Sequence, residues 1–241
     1  MDLVTFMPSV RFAYRYRFRF FKWVLDEHVF LRELLYKALP RAIRREIVVN
    51  ERIIEVPYTL RSLDLALGSR VLDVGSRWSP LPFELAALGY RTVATDLDPF
   101  PVQGAGFDYV LADLRRPPFK PMSLDGITMV STLEHVGVGF YDSHQGSDDD
   151  FQVVEALREL LRPGGKMVLT VPFGIGEIGK FQRSYDSERL ARIARGWTVE
   201  EKRFFAVASR GWEQTTELEA SAVHSAMETR AVAVLSLSKP G

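Results

Sequence analysis

Acidic residues and a glycine stand where several short apolar runs of the chain end. Asp73 and Gly75 close the run at 71–74, Asp96 closes the next run, and Asp113 closes the third. A carboxylate at Asp96, 21 positions after Gly75, can accept two hydrogen bonds from the hydroxyls of a ribose. Asp113 can accept a hydrogen bond from an adenine amino group. One such acid alone would be interpreted as a helix cap, but three in succession beside a glycine turn predict a nucleoside site.

The residues after Gly75 indicate which nucleotide fits. A dinucleotide needs the pattern G-x-G-x-x-G, so that the backbone can approach the pyrophosphate. Here Trp78 and Pro80 would crowd a pyrophosphate, and the Gly-Lys-Ser/Thr ending of a triphosphate loop is missing. The turn therefore predicts a nucleoside without phosphates, and it disfavours a nicotinamide-dependent oxidoreductase.

Apolar periodicity predicts the elements that position these residues. Strands are predicted at 71–74, 91–96, 107–113, 125–132 and 166–172, with a final pair at 197–207 and 230–238. Helices are predicted at 81–89, 148–161 and 187–194, the second of them capped by Ser147 and stopped by Pro163-Gly164-Gly165. Alternating strands and helices predict a parallel sheet whose ligands lie at the carboxyl ends of the strands.

Four stretches in this order resemble the successive motifs of class I S-adenosylmethionine-dependent methyltransferases. They are VLDVGSRWSPLPFELAALGYRTVATDLDP, FDYVLADLRRPPF, LDGITMVSTLEHVGVG and LRELLRPGGKMVLTVPFG, and the resemblance covers roughly residues 51–238. It implies an α/β fold with a Rossmann-like sheet of seven mostly parallel strands, the last one antiparallel. It also implies S-adenosyl-L-methionine as the cofactor.

The resemblance also assigns roles to residues of this chain. In the family the first-strand loop holds the methionine part, the second-strand acid binds ribose and the third-strand acid meets adenine. The end of the fourth strand, here Ser131 to His135, faces the methyl group and the acceptor. The expected cofactor-binding residues are Asp73, Gly75, Ser76, Arg77, Asp96, Leu97, Asp113, Leu114 and Ser131.

Two features depart from the family pattern. The usual loop is G-x-G-x-G, and this chain has Arg77 and Ser79 at the later glycine positions. Two roles fit Arg77: its guanidinium pairs with the methionine carboxylate, or it points into water. The link from Asp96 to Phe107 barely leaves room for a crossover helix. That edge of the sheet is therefore expected to be open or covered by the N-terminal segment.

Methyl transfer from a sulfonium is an in-line displacement, in which the enzyme mainly aligns the reactants and excludes water. A base is needed only if the acceptor must lose a proton, as a hydroxyl does. Glu134 and His135 are the catalytic candidates because they follow the fourth strand directly. His135 titrates near neutrality, so it can act as a base; the alternative is that it orients a loop or packs beside the cofactor.

The loop at 137–150 is long and glycine-rich, and we predict a lid over the acceptor. His144 in this loop, with Arg183 and Tyr185 after the fifth strand, is a candidate substrate contact. The run of three aspartates at 148–150, with His135 and His144, also fits a divalent metal. A helix-capping acidic run is the favoured interpretation, so no metal is assigned.

The composition of the chain excludes some kinds of site and divides the chain into two segments. The chain has 241 residues, no net charge and no cysteine, which excludes disulfides and thiolate metal sites. Residues 1–50 carry ten basic and five acidic side chains, whereas the rest carries 21 and 26. We therefore separate an N-terminal basic and aromatic extension, 1–50, from a methyltransferase domain, 51–241.

Within the extension, aromatic and basic residues alternate at 11–20, and the basic and aromatic segment extends to residue 22. This pattern suits a flap on the sheet, a partner contact or an anionic membrane surface. Nucleic acid is disfavoured because the remainder of the chain is acidic. The expected location is cytoplasmic, with peripheral contact at the inner face of the membrane as an option.

The sequence thus predicts methyl transfer from S-adenosylmethionine, with oxygen of a small molecule or of a sugar or surface-glycan precursor as the acceptor. The alternative that is not an enzyme is a catalytically degenerate methyltransferase fold that acts as a binding module.

Overall fold

The computed structural model describes residues 50–77, 79–100, 106–140, 146, 148–209 and 211–241. Several sequence-based expectations fall on other residues. The N-terminal extension with its segment 11–22, and also Trp78, His144 and Ser147, lie outside the described residues. The division of the chain near residue 50 therefore stays a prediction.

Eight strands form one sheet in the order β3-β2-β1-β4-β5-β8-β6-β7. They are β1 Arg70–Val74, β2 Arg91–Asp96, β3 Asp108–Leu111, β4 Leu124–Val130, β5 Leu161–Pro172, β6 Thr198–Ala208, β7 Gly211–Thr215 and β8 Ala231–Ser238. β1 to β5 are parallel, and β8 runs antiparallel to both β5 and β6. The carboxyl ends of the parallel strands therefore meet at one edge of the sheet.

Five α-helices lie in the described part of the chain. They are α1 Arg52–Leu63, α2 Leu81–Ala87, α3 Asp149–Leu160, α4 Ser187–Ile193 and α5 Glu217–Ala220, with a short 3-10 helix at Leu133–His135. None of the helices in these ranges is both long and apolar enough to cross a bilayer.

The predicted Rossmann-like α/β fold is confirmed, with one more strand than expected. The extra strand is β7, which pairs with β6 at the sheet edge and forms the second arm of a hairpin. Helix α1 was not predicted either. The predicted final antiparallel pair, β6 and β8, lies side by side as expected.

Two apolar cores cover the two faces of the sheet. The central strands β1, β4 and β5 read as near-continuous apolar runs because both of their faces are buried. One core joins Leu63 of α1 and Leu85 of α2 to Val71 and Val168. The other packs the buried faces of α3 and α4 against the opposite side of the sheet.

Two local predictions differ from the structure. Helix α3 ends at Leu160, before the Pro163-Gly164-Gly165 triplet that was expected to stop it, because Leu161 is already extended. The triplet instead forms an irregular start of β5, where the register against β4 shifts. Gly164 allows this, since its φ of +74° lies in the left-handed region.

The link between β2 and β3 contains no helix in its described residues, 97–100 and 106–107. Phe107 packs against Phe83 of α2 with ring centroids 5.0 Å apart, and Phe100 packs against Phe107 at 5.4 Å. An aromatic cluster therefore covers part of the edge that the sequence predicted to be open or covered by the N-terminal segment.

Candidate functional site

The turn after β1 is built on a close approach that only glycine permits. Gly75 has φ +79°, and its N–H and that of Ser76 donate to the carbonyl of Thr95 over 2.9 and 3.2 Å. A Cβ on Gly75 would lie 2.8 Å from Cβ of Thr132 and closer still to the rest of that side chain. The missing Cβ thus lets the β1 turn contact the chain that leaves β4.

Ser76 stabilises this turn from inside. Its side chain is fully buried, and its hydroxyl donates to the carbonyl of Asp73 over 2.8 Å. The same oxygen accepts the N–H of Thr95 at 3.3 Å. The hydroxyl of Ser76 is thus engaged within the turn, and its predicted contact with the cofactor stays a prediction.

Asp73 holds a buried carboxylate beneath the turn. Its Oδ1 accepts from the hydroxyl of Thr128 over 2.7 Å, whereas Oδ2 is buried and has no hydrogen-bond partner among the described residues. Burial raises the pKa of Asp73 to about 6. A buried acceptor without a donor is costly, so Oδ2 fits a donor group of a bound ligand.

Asp96 ends β2 with a partly exposed carboxylate, as predicted. Its two oxygens accept the backbone N–H groups of Arg77, at 3.1 Å, and Asp98, at 3.2 Å. The guanidinium of Arg77 pairs with the carboxylate of Asp98. Arg77 therefore lies in an ion pair beside the turn, an arrangement that neither of its two predicted roles included. Leu97, the next residue, is about half exposed.

Asp113 lies two residues beyond the end of β3, which is shorter than predicted. Arg115 forms a two-point contact with its carboxylate, from Nε to Oδ1 at 3.0 Å and from Nη2 to Oδ2 at 2.7 Å. These hydrogen bonds hold the pKa of Asp113 below its usual range. Lone pairs remain on a carboxylate in such a pair, so an adenine contact stays a prediction. Leu114 packs against the core beside it.

The chain leaves β4 through a residue in an unusual conformation. Ser131 has φ +43°, in the left-handed region that side chains rarely adopt. Its N–H donates to Oγ1 of Thr170 over 3.0 Å, and its hydroxyl lies 2.8 Å from both carboxylate oxygens of Glu55 in α1. The next residue, Thr132, is the one that contacts the Gly75 turn.

The catalytic candidates Glu134 and His135 follow in the 3-10 helix. Nδ1 of His135 lies 2.9 Å from the carbonyl oxygen of Phe181. A carbonyl can only accept, so Nδ1 carries the proton and the lone pair lies on Nε2. Burial lowers the pKa of His135 below its usual value, which favours the neutral ring at pH 7.

Glu134 is buried beside this ring, with its Oε1 3.8 Å from Nε2 of His135. Its Oε2 has no hydrogen-bond partner among the described residues. Burial raises the pKa of Glu134 to about 8, so this carboxyl is largely protonated at neutral pH.

Arg183 and Tyr185, predicted to contact the substrate, are both fully buried. Nη1 of Arg183 lies 2.9 Å from Oδ1 of Asp150, and the hydroxyl of Tyr185 donates to Oδ2 of the same carboxylate over 3.0 Å. Arg189 also pairs with Asp150, at 2.6 Å. These contacts give Arg183 and Tyr185 a structural role between α3 and α4. Their substrate role stays a prediction that this arrangement does not favour.

An aromatic surface lies next to His135. The ring of Phe181 packs on His135 with centroids 4.5 Å apart, and Phe140 packs edge-on against Phe181 at 4.8 Å. Both phenylalanines are more than a third exposed. Phe140 belongs to the loop at 137–150 that the sequence predicts to be a lid. The N–H of Gly146 donates to the carbonyl of Gly137 over 3.1 Å, and residues 141–145 lie outside the described residues.

Sequence reasoning missed Glu55, although a signal for it exists. The residues that α1 buries are Glu55, Thr59 and Leu63, spaced by four, so two of its three core positions are polar. Polar side chains in a stripe of this kind need partners in the fold they face.

Comparison with known proteins supports the architecture. Residues 72–169 match the family model described as a methyltransferase domain. No curated protein sequence matches the chain.

Solved structures of similar fold are more numerous. The Burkholderia thailandensis 1,6-didemethyltoxoflavin-N1-methyltransferase, solved with S-adenosylhomocysteine, is 17% identical, with 90% of each chain covered and a TM-score of 0.58. This chain has the class I methyltransferase fold.

Two further structures show how widely the fold is used. The N-methyltransferase NodS from Bradyrhizobium japonicum is 12% identical over 82% of this chain and 92% of its own, with a TM-score of 0.54. The [4+2]-cyclase SpnF is 14% identical over 77% of this chain and 80% of its own, with a TM-score of 0.59. At these identities the likeness shows the fold alone.

Proposed function

We propose that this protein is an S-adenosylmethionine-dependent methyltransferase that methylates an oxygen of a small-molecule or sugar-type acceptor, such as a surface-glycan precursor. The observation that carries the proposal is the contact between the Gly75 turn and Thr132. It joins the carboxyl ends of β1 and β4, with Asp96 on one side and His135 on the other. Ligands of open α/β sheets bind in a crevice of this kind.

The described residues fit the cofactor. The carboxylate of Asp96 can take both ribose hydroxyls, and Oδ2 of Asp73 offers a buried acceptor to the ammonium of the methionine part. Leu97 supplies an exposed apolar side chain beside the adenine position. S-adenosylmethionine, when bound, supplies an activated methyl group whose transfer to an acceptor oxygen leaves a neutral thioether.

His135 is the proposed base, and it is the reason for proposing oxygen as the methylated atom. A hydroxyl must lose its proton as the new bond forms, and Nε2 of a neutral imidazole can take it. The carbonyl of Phe181 fixes the required tautomer. Glu134, whose carboxyl lies 3.8 Å from Nε2 and is largely protonated at neutral pH, is proposed as a positioning residue beside the ring.

The aromatic surface of Phe140 and Phe181 supports an acceptor with an apolar or ring-shaped face. Rings beside a base exclude water and hold a flat molecule against the reacting group. A small acceptor also agrees with the name of the Burkholderia thailandensis neighbour, which is that of a small-molecule methyltransferase.

A degenerate methyltransferase fold that binds but does not transfer is the second candidate. One observation favours it: both acids expected to bind the cofactor already accept hydrogen bonds within the protein. Asp96 accepts from the backbone N–H groups of Arg77 and Asp98. Asp113 accepts from the guanidinium of Arg115. SpnF, which has a similar fold, is named as a [4+2]-cyclase and not as a methyltransferase.

Calorimetry with S-adenosylmethionine and S-adenosylhomocysteine tests the cofactor, and a metabolite screen for released S-adenosylhomocysteine tests transfer. We expect both compounds to bind, and Asp96→Ala to weaken binding by roughly tenfold or more through two lost hydrogen bonds. The matched control is Asp108→Ala, an exposed acid at the opposite end of the sheet. No binding by either compound would remove the proposal; binding without turnover across the screen would favour the binding module.

A further inference from the structure

Helix α1 reaches the site from outside the matched methyltransferase domain, which begins at residue 72. It packs over β4, β5 and β8 and buries one residue in every four. Glu55 is the first of these, and its carboxyl lies at the carboxyl end of β4. Nothing in the domain match assigns this residue a role.

Two side chains of α1 hold two consecutive residues at the end of β4. Nη1 of Arg52 donates to the carbonyl of Val130 over 3.1 Å. Both oxygens of Glu55 lie 2.8 Å from the hydroxyl of Ser131. Arg52 and Glu55 are also 3.8 Å apart, so the pair forms one clamp.

The clamp acts where the backbone is strained. A serine at φ +43° is disfavoured because its Cβ crowds the backbone, and such a conformation persists only when neighbouring contacts hold it. The described contacts on Ser131 are the hydroxyl bond to Glu55 and the N–H bond to Thr170. Ser131 is the residue from which the chain turns toward Thr132 and His135, so its conformation affects the direction of that segment.

A buried acid is an expensive means of holding a hydroxyl, which suggests that the position matters. The groups around Glu55 are Arg52 on its own helix, Ser131 and Glu134 on the chain after β4, and Thr170 on β5. Burial raises the pKa of Glu55 to about 7 against the opposing effect of Arg52.

We propose that Glu55 is a positioning residue of the methyl-transfer site, whose carboxyl holds Ser131 in the left-handed conformation and thereby places Thr132 and His135. The part of this inference that concerns catalysis rests on the proposed function. The effect of Glu55 on the conformation of Ser131 can be measured without any turnover.

The test is amide hydrogen exchange at Ser131, His135 and Val136, each of which donates to a partner within the fold. Glu55→Leu removes the acceptor at similar size, and we expect exchange at these amides to rise about tenfold as one hydrogen bond is lost. Glu55→Gln keeps an acceptor oxygen and should stay near the wild-type rates. Thr59→Val, one turn along the same buried face, is the matched control and should leave the three amides unchanged.

A rescue variant separates positioning from general damage to the helix. Glycine adopts φ +43° without help, so Ser131→Gly in the Glu55→Leu background should restore much of the protection at His135 and Val136. No rescue, or equal effects of Glu55→Leu and Thr59→Val, would overturn the proposal.

Calorimetric affinity for S-adenosylhomocysteine is measured on the same variants. If the wild type binds none, the proposed function fails, while the exchange data still decide the role of Glu55. If the wild type binds and the exchange rates do not respond to Glu55→Leu, the positioning inference fails alone.

Discussion

Gly75 and Thr132 are in contact only because Gly75 has no side chain: a Cβ there would stand 2.8 Å from Cβ of Thr132. This is tighter than ordinary contacts between carbon atoms, and both neighbours are fixed by hydrogen bonds. Thr132 donates its hydroxyl to the carbonyls of Val74 and Val130, at 3.2 and 3.0 Å. The first and fourth strands therefore meet at a junction that leaves no room for adjustment.

We expect Gly75→Ala to lower the free energy of unfolding by about 2 kcal/mol or more, from backbone strain plus overlap with Thr132. Affinity for S-adenosylhomocysteine should fall with it, because the turn must move. Chemical denaturation and calorimetry measure the two effects. Gly164→Ala is the control, since Gly164 has φ +74° but nothing within 4 Å of its added Cβ. Equal losses in both variants would mean that the contact with Thr132 is unimportant.

His135→Ala should lower kcat by roughly a hundredfold to ten-thousandfold, the range for loss of a general base. Affinity for S-adenosylhomocysteine should change little. Because the base must be neutral and burial lowers its pKa, activity should be full at neutral pH and fall only as the pH drops below the usual histidine value of 6.5. His224→Ala, at an exposed histidine paired with Glu177, is the control. Unchanged turnover in His135→Ala would exclude it as the base.

Much of the fold was predictable because the residues of β1, β2, β4 and β5 carry their signal locally. An apolar run such as that ending at Val74 is buried on both faces, a pattern typical of a parallel sheet with helices on both sides. Asp96, at the end of β2, follows from the same pattern. Strand β2 pairs directly with β1, so the carboxylate of Asp96 lies beside the turn that follows β1. An alternating order of strands and helices is enough to predict this position.

The partners of Arg77, Arg183 and Ser131 were not predictable, for a shared reason. Each pairs with an acid on another element: Asp98 after β2, Asp150 in α3 and Glu55 in α1. A polar or charged side chain near a strand end is expected to be exposed or to bind a ligand unless its partner is known. Burial of a charge needs such a partner, and only the tertiary fold supplies it.

The pH dependence of stability should reveal Glu134. Its folded pKa of about 8 lies above the ordinary value of 4.5, so the folded state holds a proton that the unfolded chain has released. Its contribution to the free energy of unfolding is therefore full below pH 4.5 and is lost as the pH rises toward 8. Glu134→Gln cannot ionise and should flatten this decline by an amount on the order of a few kcal/mol.

Denaturation at a series of pH values measures this difference. Asp73 and Glu55, with pKa values raised to about 6 and about 7, contribute in the same direction, so part of the decline should persist in the variant. Glu188→Gln, at an exposed position, should leave the curve unchanged. A wild-type curve that rises through this window would contradict the protonated state of Glu134.

Tyr185→Phe distinguishes a structural role from a substrate contact. The hydroxyl of Tyr185 donates to the carboxylate of Asp150, and we expect its removal to cost about 1.5–3 kcal/mol of unfolding free energy, as for a hydrogen bond to a charged group. Tyr90→Phe removes a hydroxyl that donates to the neutral carbonyl of Leu65 and should cost less, about 1 kcal/mol. If Tyr185 serves only the buried network, the KM for the acceptor should stay near the wild-type value in both variants. A raised KM in Tyr185→Phe, with stability unchanged, would instead place this hydroxyl on the acceptor and require the segment after β5 to open.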